Sequence, residues 1–216
     1  MTGVETLYPF LYDGGGITGH VLSEVRRSTA EKALEIVALR ETLAASHGEP
    51  LVACARRMGE AFRAGGRLLA FGNGGSGTDA QSLAALFTSP PAPARPLPAL
   101  SLPQDTAALT ALSNDVGFEV VFARQVAAHG RAGDIAVGLS TSGGSANVLR
   151  AFGEAARRGL MTVGFAGYDG GAMAEAETIE HLFVVPSASV HRIQEAQTTL
   201  FHVLWELTRH AVEGGL

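Results

Sequence analysis

The chain has 216 residues, of which 46% are hydrophobic and 17% are charged, and its formal net charge is -5. This length predicts one well-buried core and is short for two independent ones. The acidic balance gives no support for direct nucleic-acid binding, because a general nucleic-acid binder needs a basic surface. Cys54 is the only cysteine, which excludes an internal disulfide and a cysteine-based metal site.

No apolar stretch approaches the length of a membrane span, and the first residues lack the basic-then-apolar pattern of a signal peptide. We therefore expect no membrane association and a cytoplasmic location. An aromatic and then glycine-rich stretch predicts an N-terminal arm over 1–19, followed by a single domain over 20–216. Within that domain, the spacing of apolar residues predicts two helices, 20–46 and 50–64, with a break before Pro50.

From Arg67 onward, strand-like and helix-like stretches alternate along the chain. Strands are predicted at 67–72, 97–102, 134–140, 160–166 and 181–185, and helices at 77–87, 106–112, 117–129, 145–158 and 191–211. Such alternation with short links predicts a parallel sheet that is covered by helices on both faces. The expected fold is therefore α/β: a three-layer, doubly wound, flavodoxin-like sandwich with a five-stranded parallel sheet, preceded by N-terminal helices.

Two short loops each follow a predicted strand and precede a predicted helix: GNGGS at 72–76 and STSGGS at 140–145. A helix N-terminus offers unpaired N–H groups and a positive dipole end, which attract phosphate. Glycine lets the backbone approach a ligand, and serine hydroxyls donate hydrogen bonds to it. The two loops therefore predict a site for a phosphorylated ligand beyond the carboxyl ends of the strands. The alternative is that the serines are ordinary helix caps.

These two loops, with the longer motif STSGGSANVLRA and the terminal HRIQEAQTTLFHVLWEL, resemble the sugar isomerase (SIS) domain family. Within it the chain is similar to the phosphoheptose isomerase group, which interconverts sedoheptulose 7-phosphate and an aldose heptose 7-phosphate. The resemblance covers roughly residues 20–212. It implies a phosphorylated sugar as ligand and a homotetramer whose sites lie between subunits.

The resemblance also implies roles for particular residues. Contacts to the sugar phosphate are expected from Asn73, Gly74, Gly75, Ser76, Gln104, Asp105, Ser140, Thr141, Ser142, Ser145 and Gln194. His202, eight residues after Gln194 and on the same helix face, matches a catalytic histidine. Apart from the resemblance, a relocated mechanism would pair His202 with His191, Glu195 or Asp105.

Each of these residues also has a purely structural explanation. His202 lies in an otherwise apolar stretch, which is typical of a buried core histidine. His191 also fits a capping or surface position near the start of a helix, and Asp105 also fits a helix N-cap. Asp79 is expected to support the start of its helix electrostatically rather than to act as a base.

The helix after GNGGS departs from the family pattern. The isomerases carry Asp-Ala-x-His-x-Ala-x-Glu there, with a metal-ligating histidine and a glutamate base. Ser82 and Leu86 hold those two positions in this chain, and His191 stands where the family often has aspartate. Leucine cannot act as the base that an aldose–ketose isomerase needs. Gln194 and His202 alone fall short of the usual zinc ligand set, so we expect no zinc, although the family can use it.

Three functions remain compatible with these features. The first is an isomerase of sedoheptulose 7-phosphate or a related sugar phosphate, acting through an enediol with altered catalytic groups. The second is a non-catalytic phosphosugar sensor. The third is a protein-interaction role, like that of the SIS relatives that associate with the bacterial replication initiator.

Overall fold

A computed structural model describes residues 19–216 of the chain. Its elements, in chain order, are α1 (Gly19–Arg63), β1 (Leu68–Gly72), α2 (Gly74–Thr88), β2 (Ala99–Ser101), α3 (Thr106–Asp115), α4 (Val121–His129), β3 (Ile135–Ser140), α5 (Ala146–Arg157), β4 (Met161–Gly167), α6 (Gly171–Ala174), β5 (His181–Val185) and α7 (Val190–Val212). Two short 3-10 turns, Leu102–Gln104 and Phe118–Val120, precede α3 and α4.

The chain falls into two units that divide between Leu39 and Arg40, and the sheet belongs entirely to the second. The predicted arm over 1–19 lies outside the described residues except for Gly19, which begins α1. The single domain over 20–216 stays a prediction. Among the helices of residues 19–216, none has the length and apolar character needed to cross a membrane.

The five strands form one sheet in the order β2-β1-β3-β4-β5, and every neighbouring pair is parallel. This confirms the α/β fold class. The winding of the chain reverses between β1 and β3, which are neighbours in the sheet although β2 separates them in sequence. Gly72 at the end of β1 pairs with Leu139 of β3, so the loops that follow these two strands emerge side by side. This crevice is where doubly wound sheets bind ligands.

Helices cover both faces of the sheet. On one face lie α2, α7 and the part of α1 after Leu39, with the rings of Phe62 and Phe87 stacked 5.4 Å apart. On the other face lie α3, α4 and α5, where Phe71 of β1 packs between Phe122 and Phe152. All residues of β1, β3 and β4 are buried, as expected for central parallel strands covered on both sides. The buried strands hold the two loops at a fixed edge.

The prediction of two N-terminal helices was wrong, because α1 runs without a break through Pro50. Proline removes one backbone hydrogen bond and costs about 3 kcal/mol inside a helix. The turns that follow Pro50 bury Leu51, Cys54 and Met58 against the domain. Burying each large apolar side chain contributes about 1.5–3 kcal/mol, so this packing offsets the cost of the proline.

The remaining elements follow the predictions closely. All five predicted strands are present, each within two residues of its predicted bounds. The predicted helix over 117–129 begins instead as a 3-10 turn and becomes α-helical at Val121. The four-residue helix α6 was not predicted, because its glycine and alanine residues show no apolar periodicity.

Candidate functional site

Three serine hydroxyls meet on the loop after β3, here called the serine loop (140–145). Ser140 Oγ lies 3.1 Å from Ser145 Oγ and 3.4 Å from Ser142 Oγ, and Ser140 is buried. Ser145 occupies the N-cap position of α5, but its side chain makes no capping hydrogen bond. The capping explanation therefore does not hold for the Ser145 hydroxyl. The first N–H groups of α5 therefore have no capping side chain, and a helix start of this kind attracts anions in general.

The serine loop keeps its shape because Gly143 packs against the turn that follows β4. Gly143 has a φ of 64°, and a Cβ on it would lie 1.9 Å from the Gly170 carbonyl oxygen. The Met173 N–H donates a hydrogen bond of 2.9 Å to the Gly143 carbonyl oxygen. Only glycine fits a backbone held this closely at a positive φ. Thr141, also on this loop, is partly buried.

A pair of asparagines joins the serine loop region to the loop after β1, here called the glycine loop (72–76). Asn73 Nδ2 donates to Asn147 Oδ1, and Asn147 Nδ2 donates to Asn73 Oδ1, both at 2.8 Å. Asn147 is buried in the first turn of α5, and Asn73 is the N-cap of α2 but makes no side-chain cap. The two side chains bind each other rather than the helix ends, so the two loops are locked together.

The glycine loop leads into α2, which packs beside α7. Ser76 is buried, whereas Gly74 and Gly75 are exposed at the start of the helix. Gln194 of α7 lies against Gly75, and its Nε2 donates to Asp79 Oδ2 at 3.2 Å. Burial raises the pKa of the Asp79 carboxyl above its usual value, and the hydrogen bond from Gln194 opposes this with a smaller effect.

A cleft of about 420 Å³ lies farther along the same two helices. It is lined by Ser82 and Leu86 of α2 and by Thr198, Phe201 and His202 of α7, among others. His202 is exposed, so the alternative of a buried core histidine does not hold. Its Nδ1 lies 2.8 Å from the Thr198 carbonyl oxygen. Since a carbonyl only accepts hydrogen bonds, Nδ1 carries a proton, and in the neutral ring Nε2 is the free acceptor.

Three of the expected site residues do not line the cleft of His202. Asp105 caps α3, with its Oδ1 accepting from the Ala108 N–H at 2.8 Å, and it lines a different cavity from His202. Gln104 is exposed in the preceding 3-10 turn, and His191 is exposed in the first turn of α7. Within one subunit, neither Asp105 nor His191 shares the cleft of His202.

The donor set of the cleft does not fit a zinc ion. Zinc in proteins takes three or four nitrogen, sulfur or carboxylate ligands. Of the residues that line the cleft, His202 alone is of this kind, because serine and leucine stand at 82 and 86. Nowhere in the described range do three His, Cys, Asp or Glu side chains come close enough to hold a metal ion.

Sequence reasoning missed the role of Asn147. It lies inside the quoted motif STSGGSANVLRA, but its type and spacing resemble those of many polar residues in a first helical turn. The sequence did carry one sign of the pair, because an asparagine stands at the beginning of α2 and another at the beginning of α5. Only the adjacency of β1 and β3 shows that the two residues meet.

Comparisons with known proteins agree with this architecture. The SIS domain model matches residues 33–167. The phosphoheptose isomerase of Roseiflexus sp. (strain RS-1) is 48% identical over 163 residues, which cover 75% of this chain and 82% of that protein. The phosphoheptose isomerase of Aquifex aeolicus (strain VF5) is 42% identical over 192 residues, which cover 88% and 96%.

Solved structures are similar over nearly their whole length. The phosphoheptose isomerase of Neisseria gonorrhoeae has a TM-score of 0.78 and 39% identity, and the match covers 84% of this chain and 97% of that one. The phosphoheptose isomerase of Francisella tularensis has a TM-score of 0.81 and 29% identity, with coverage of 86% and 98%. A doubly wound parallel sheet, with two loops side by side at its switch point and helices on both faces, defines a three-layer α/β domain. The chain belongs to the SIS domain family, and the relatives described above are phosphoheptose isomerases.

Proposed function

We propose that this chain binds a phosphorylated sugar at the carboxyl edge of its sheet, with the phosphate on the serine loop. The observation that carries this proposal is the cluster of Ser140, Ser142 and Ser145 hydroxyls beside an uncapped helix start. A phosphate there would accept hydrogen bonds from serine hydroxyls and from the first N–H groups of α5. The names of the relatives support a phosphoheptose as the ligand class.

The sugar part of the ligand would extend from the phosphate toward the glycine loop and α7. Gln194, which is partly exposed, borders the glycine loop and can offer its amide to a hydroxyl. Gln104 and Asp105 remain candidate contacts at the end of β2. Asp105 uses one carboxylate oxygen to cap α3. Its other oxygen stays available to a sugar hydroxyl.

Isomerisation of sedoheptulose 7-phosphate or a related sugar phosphate is a second candidate function. A base must take a proton from the carbon beside the carbonyl and return it to the neighbouring carbon through an enediol. The observation in favour is His202, whose Nε2 is free to accept a proton in the cleft. His202 is also the one titratable side chain among the described residues that line this cleft. His202 would act without the glutamate that the family pattern places at position 86, where this chain has leucine. Losing one general base costs about 10²–10⁴ in rate, so turnover should be slow.

The same donor set underlies our proposal that the cleft binds no zinc. If the phosphosugar binds without turnover, the chain is a sensor or a protein-interaction subunit. A sensor and a protein-interaction subunit differ in one respect: whether binding of the phosphosugar changes the association of the chain with a protein partner.

We also propose that the chain forms a homotetramer with sites near subunit contacts and that it acts in the cytoplasm. An apolar groove of about 220 Å³ between α1 and α7 supports the first proposal, with Leu43 and Leu51 facing Leu200, Val203 and Leu207. Such a groove is typical of surfaces that a subunit contact covers. Light scattering after size-exclusion chromatography measures the assembly directly.

The phosphate site is tested by the double change Ser140→Ala with Ser142→Ala. We expect affinity for sedoheptulose 7-phosphate, measured by calorimetry, to fall about tenfold or more, because charge-assisted hydrogen bonds are lost. Ser46→Ala is the matched control, since the Ser46 hydroxyl bonds only to carbonyl oxygens of its own helix. Unchanged affinity in the double variant would refute the assignment of the phosphate to the serine loop.

Turnover is tested by following aldose formation from sedoheptulose 7-phosphate by NMR, with the ligand-induced thermal shift in the same samples. Turnover that is lost in His202→Gln supports the isomerase. A thermal shift without turnover supports the sensor. Ser82→His with Leu86→Glu restores the family pattern, and we expect it to raise the rate and to introduce zinc binding, because the cleft then holds three ligand side chains.

A further inference from the structure

One residue beside the serine loop has a strained backbone. Among the described residues, Tyr168 is the non-glycine residue with a positive φ, at 54°. It directly follows Gly167, the last residue of β4, and the Gly170 N–H donates to the Gly167 carbonyl oxygen at 2.9 Å. Tyr168 therefore occupies the second position of a tight turn in which a positive φ favours glycine.

The surrounding contacts force this conformation on Tyr168. A Cβ on Gly167 would lie 2.5 Å from the Thr141 carbonyl oxygen, so the end of β4 is pressed against the serine loop. On the other side, the Gly171 N–H donates to Asp169 Oδ1 at 3.1 Å. The turn is thus held at both ends.

The side chain of Tyr168 has no evident structural task. It is 40% exposed. Within residues 19–216, its hydroxyl makes no hydrogen bond and its ring packs on no other ring. Backbone strain that the surrounding structure imposes is concentrated at active sites and ligand clamps.

The sheet register places Tyr168 next to the serine loop. Ser140 of β3 pairs with Ala166 of β4, and Tyr168 lies two residues beyond that pair, in the turn that follows β4. The same turn contacts the serine loop, because a Cβ on Gly171 would lie 2.4 Å from the Ser142 carbonyl oxygen. Tyr168 therefore borders the serine loop on the side of β4, opposite the side on which β1 and the glycine loop lie.

We propose that Tyr168 is a specificity-determining residue that contacts the carbon chain of the ligand next to its phosphate. This rests on the proposed phosphosugar site. The ring packs on the C–H face of the sugar chain, and the hydroxyl bonds to a sugar hydroxyl. Tyr168 contributes nothing to phosphate itself, because the serine hydroxyls and the start of α5 bind the anion.

The test compares Tyr168→Asn with the wild-type protein and with Tyr168→Phe. Asparagine tolerates a positive φ, so the melting temperature without ligand should stay the same or rise. Affinity for sedoheptulose 7-phosphate should fall about fivefold or more in Tyr168→Asn and less in Tyr168→Phe, which keeps the ring. Affinity for inorganic phosphate, used as the second probe, should stay within twofold of wild type.

The outcomes separate this inference from the proposed function. If Tyr168→Asn binds sedoheptulose 7-phosphate as wild type does while the double serine variant does not, the role of Tyr168 is refuted and the phosphate site stands. An equal loss for both probes also refutes it, because Tyr168 then supports only the shape of the serine loop. If the wild-type protein binds neither probe, both proposals fail.

Discussion

The asparagine pair between the two loops offers a sharp test of how the site is built. Asn147→Ala removes two hydrogen bonds of 2.8 Å at once and leaves the amide of Asn73 without its partner. Asn147 is buried, with 3% of its surface exposed, so water cannot replace the lost contacts freely. Asn147→Ala should therefore lower the stability of the fold and loosen the position of the glycine loop relative to the serine loop.

The size of the effect follows from the contacts. Two neutral hydrogen bonds contribute about 1–3 kcal/mol together, and the unpaired Asn73 amide adds about 1 kcal/mol because it is only partly buried. The higher helix propensity of alanine returns about 0.5 kcal/mol. We expect a net loss of about 2–3 kcal/mol, which lowers the melting temperature of a chain of this size by about 4–12 °C.

The assay is a double-mutant cycle of Asn73→Ala, Asn147→Ala and the double variant, with stability measured by urea unfolding. Because neither side chain caps its helix, the double variant should cost little more than either single change. Asn114→Ala is the matched control, since Asn114 bonds only to Asp115 on the exposed end of α3. If the double variant loses as much free energy of unfolding as the two single variants together, the two asparagines do not act as a pair and the prediction is refuted.

Two further predictions concern titratable groups. Burial raises the pKa of the Asp79 carboxyl, so the protonated carboxyl favours the folded state and its ionisation destabilises the fold. The contribution of the protonated carboxyl to folding stability is complete below the unfolded pKa near 4. It is lost as the pH rises through the folded pKa. Asp79→Asn should therefore be more stable than the wild-type protein at pH 7, by less than about 1 kcal/mol because Asp79 is only half-buried. The difference in stability, measured by urea unfolding, should vanish toward pH 3. A difference that stays constant from pH 7 to pH 3 would contradict this prediction. Cys54 is fully buried and its thiol pKa is raised by burial, so a thiol reagent should modify it only when the protein unfolds. Rapid labelling of the native protein, followed by absorbance, would contradict this.

The five strands and the helices after Arg67, apart from the four-residue α6, were predictable because a buried parallel sheet leaves a strong local pattern. Apolar runs such as 68–71 and 135–139 are short and end in glycine or serine, which marks them as strands followed by turns. The glycine loop and the serine loop were recognised for the same reason, since their composition and their position at strand ends are both local. Local patterns were insufficient at Pro50, where packing of the following turns decides that α1 continues.

The arrangement of the site depended on the sheet order, which no local pattern encodes. The amino-acid sequence by itself determined the fold class, the two loops, and the replacement of the expected histidine and glutamate by Ser82 and Leu86. Only the tertiary structure decided that Asn73 meets Asn147 and that His202 is exposed in the cleft of Ser82 and Leu86. Asn73 and Asn147 are 74 positions apart and meet because the parallel strands β1 and β3 bring the segments that follow them to the same edge of the sheet. His202 and Ser82 are 120 positions apart and line one cleft because α2 and α7 pack together on one face of the sheet.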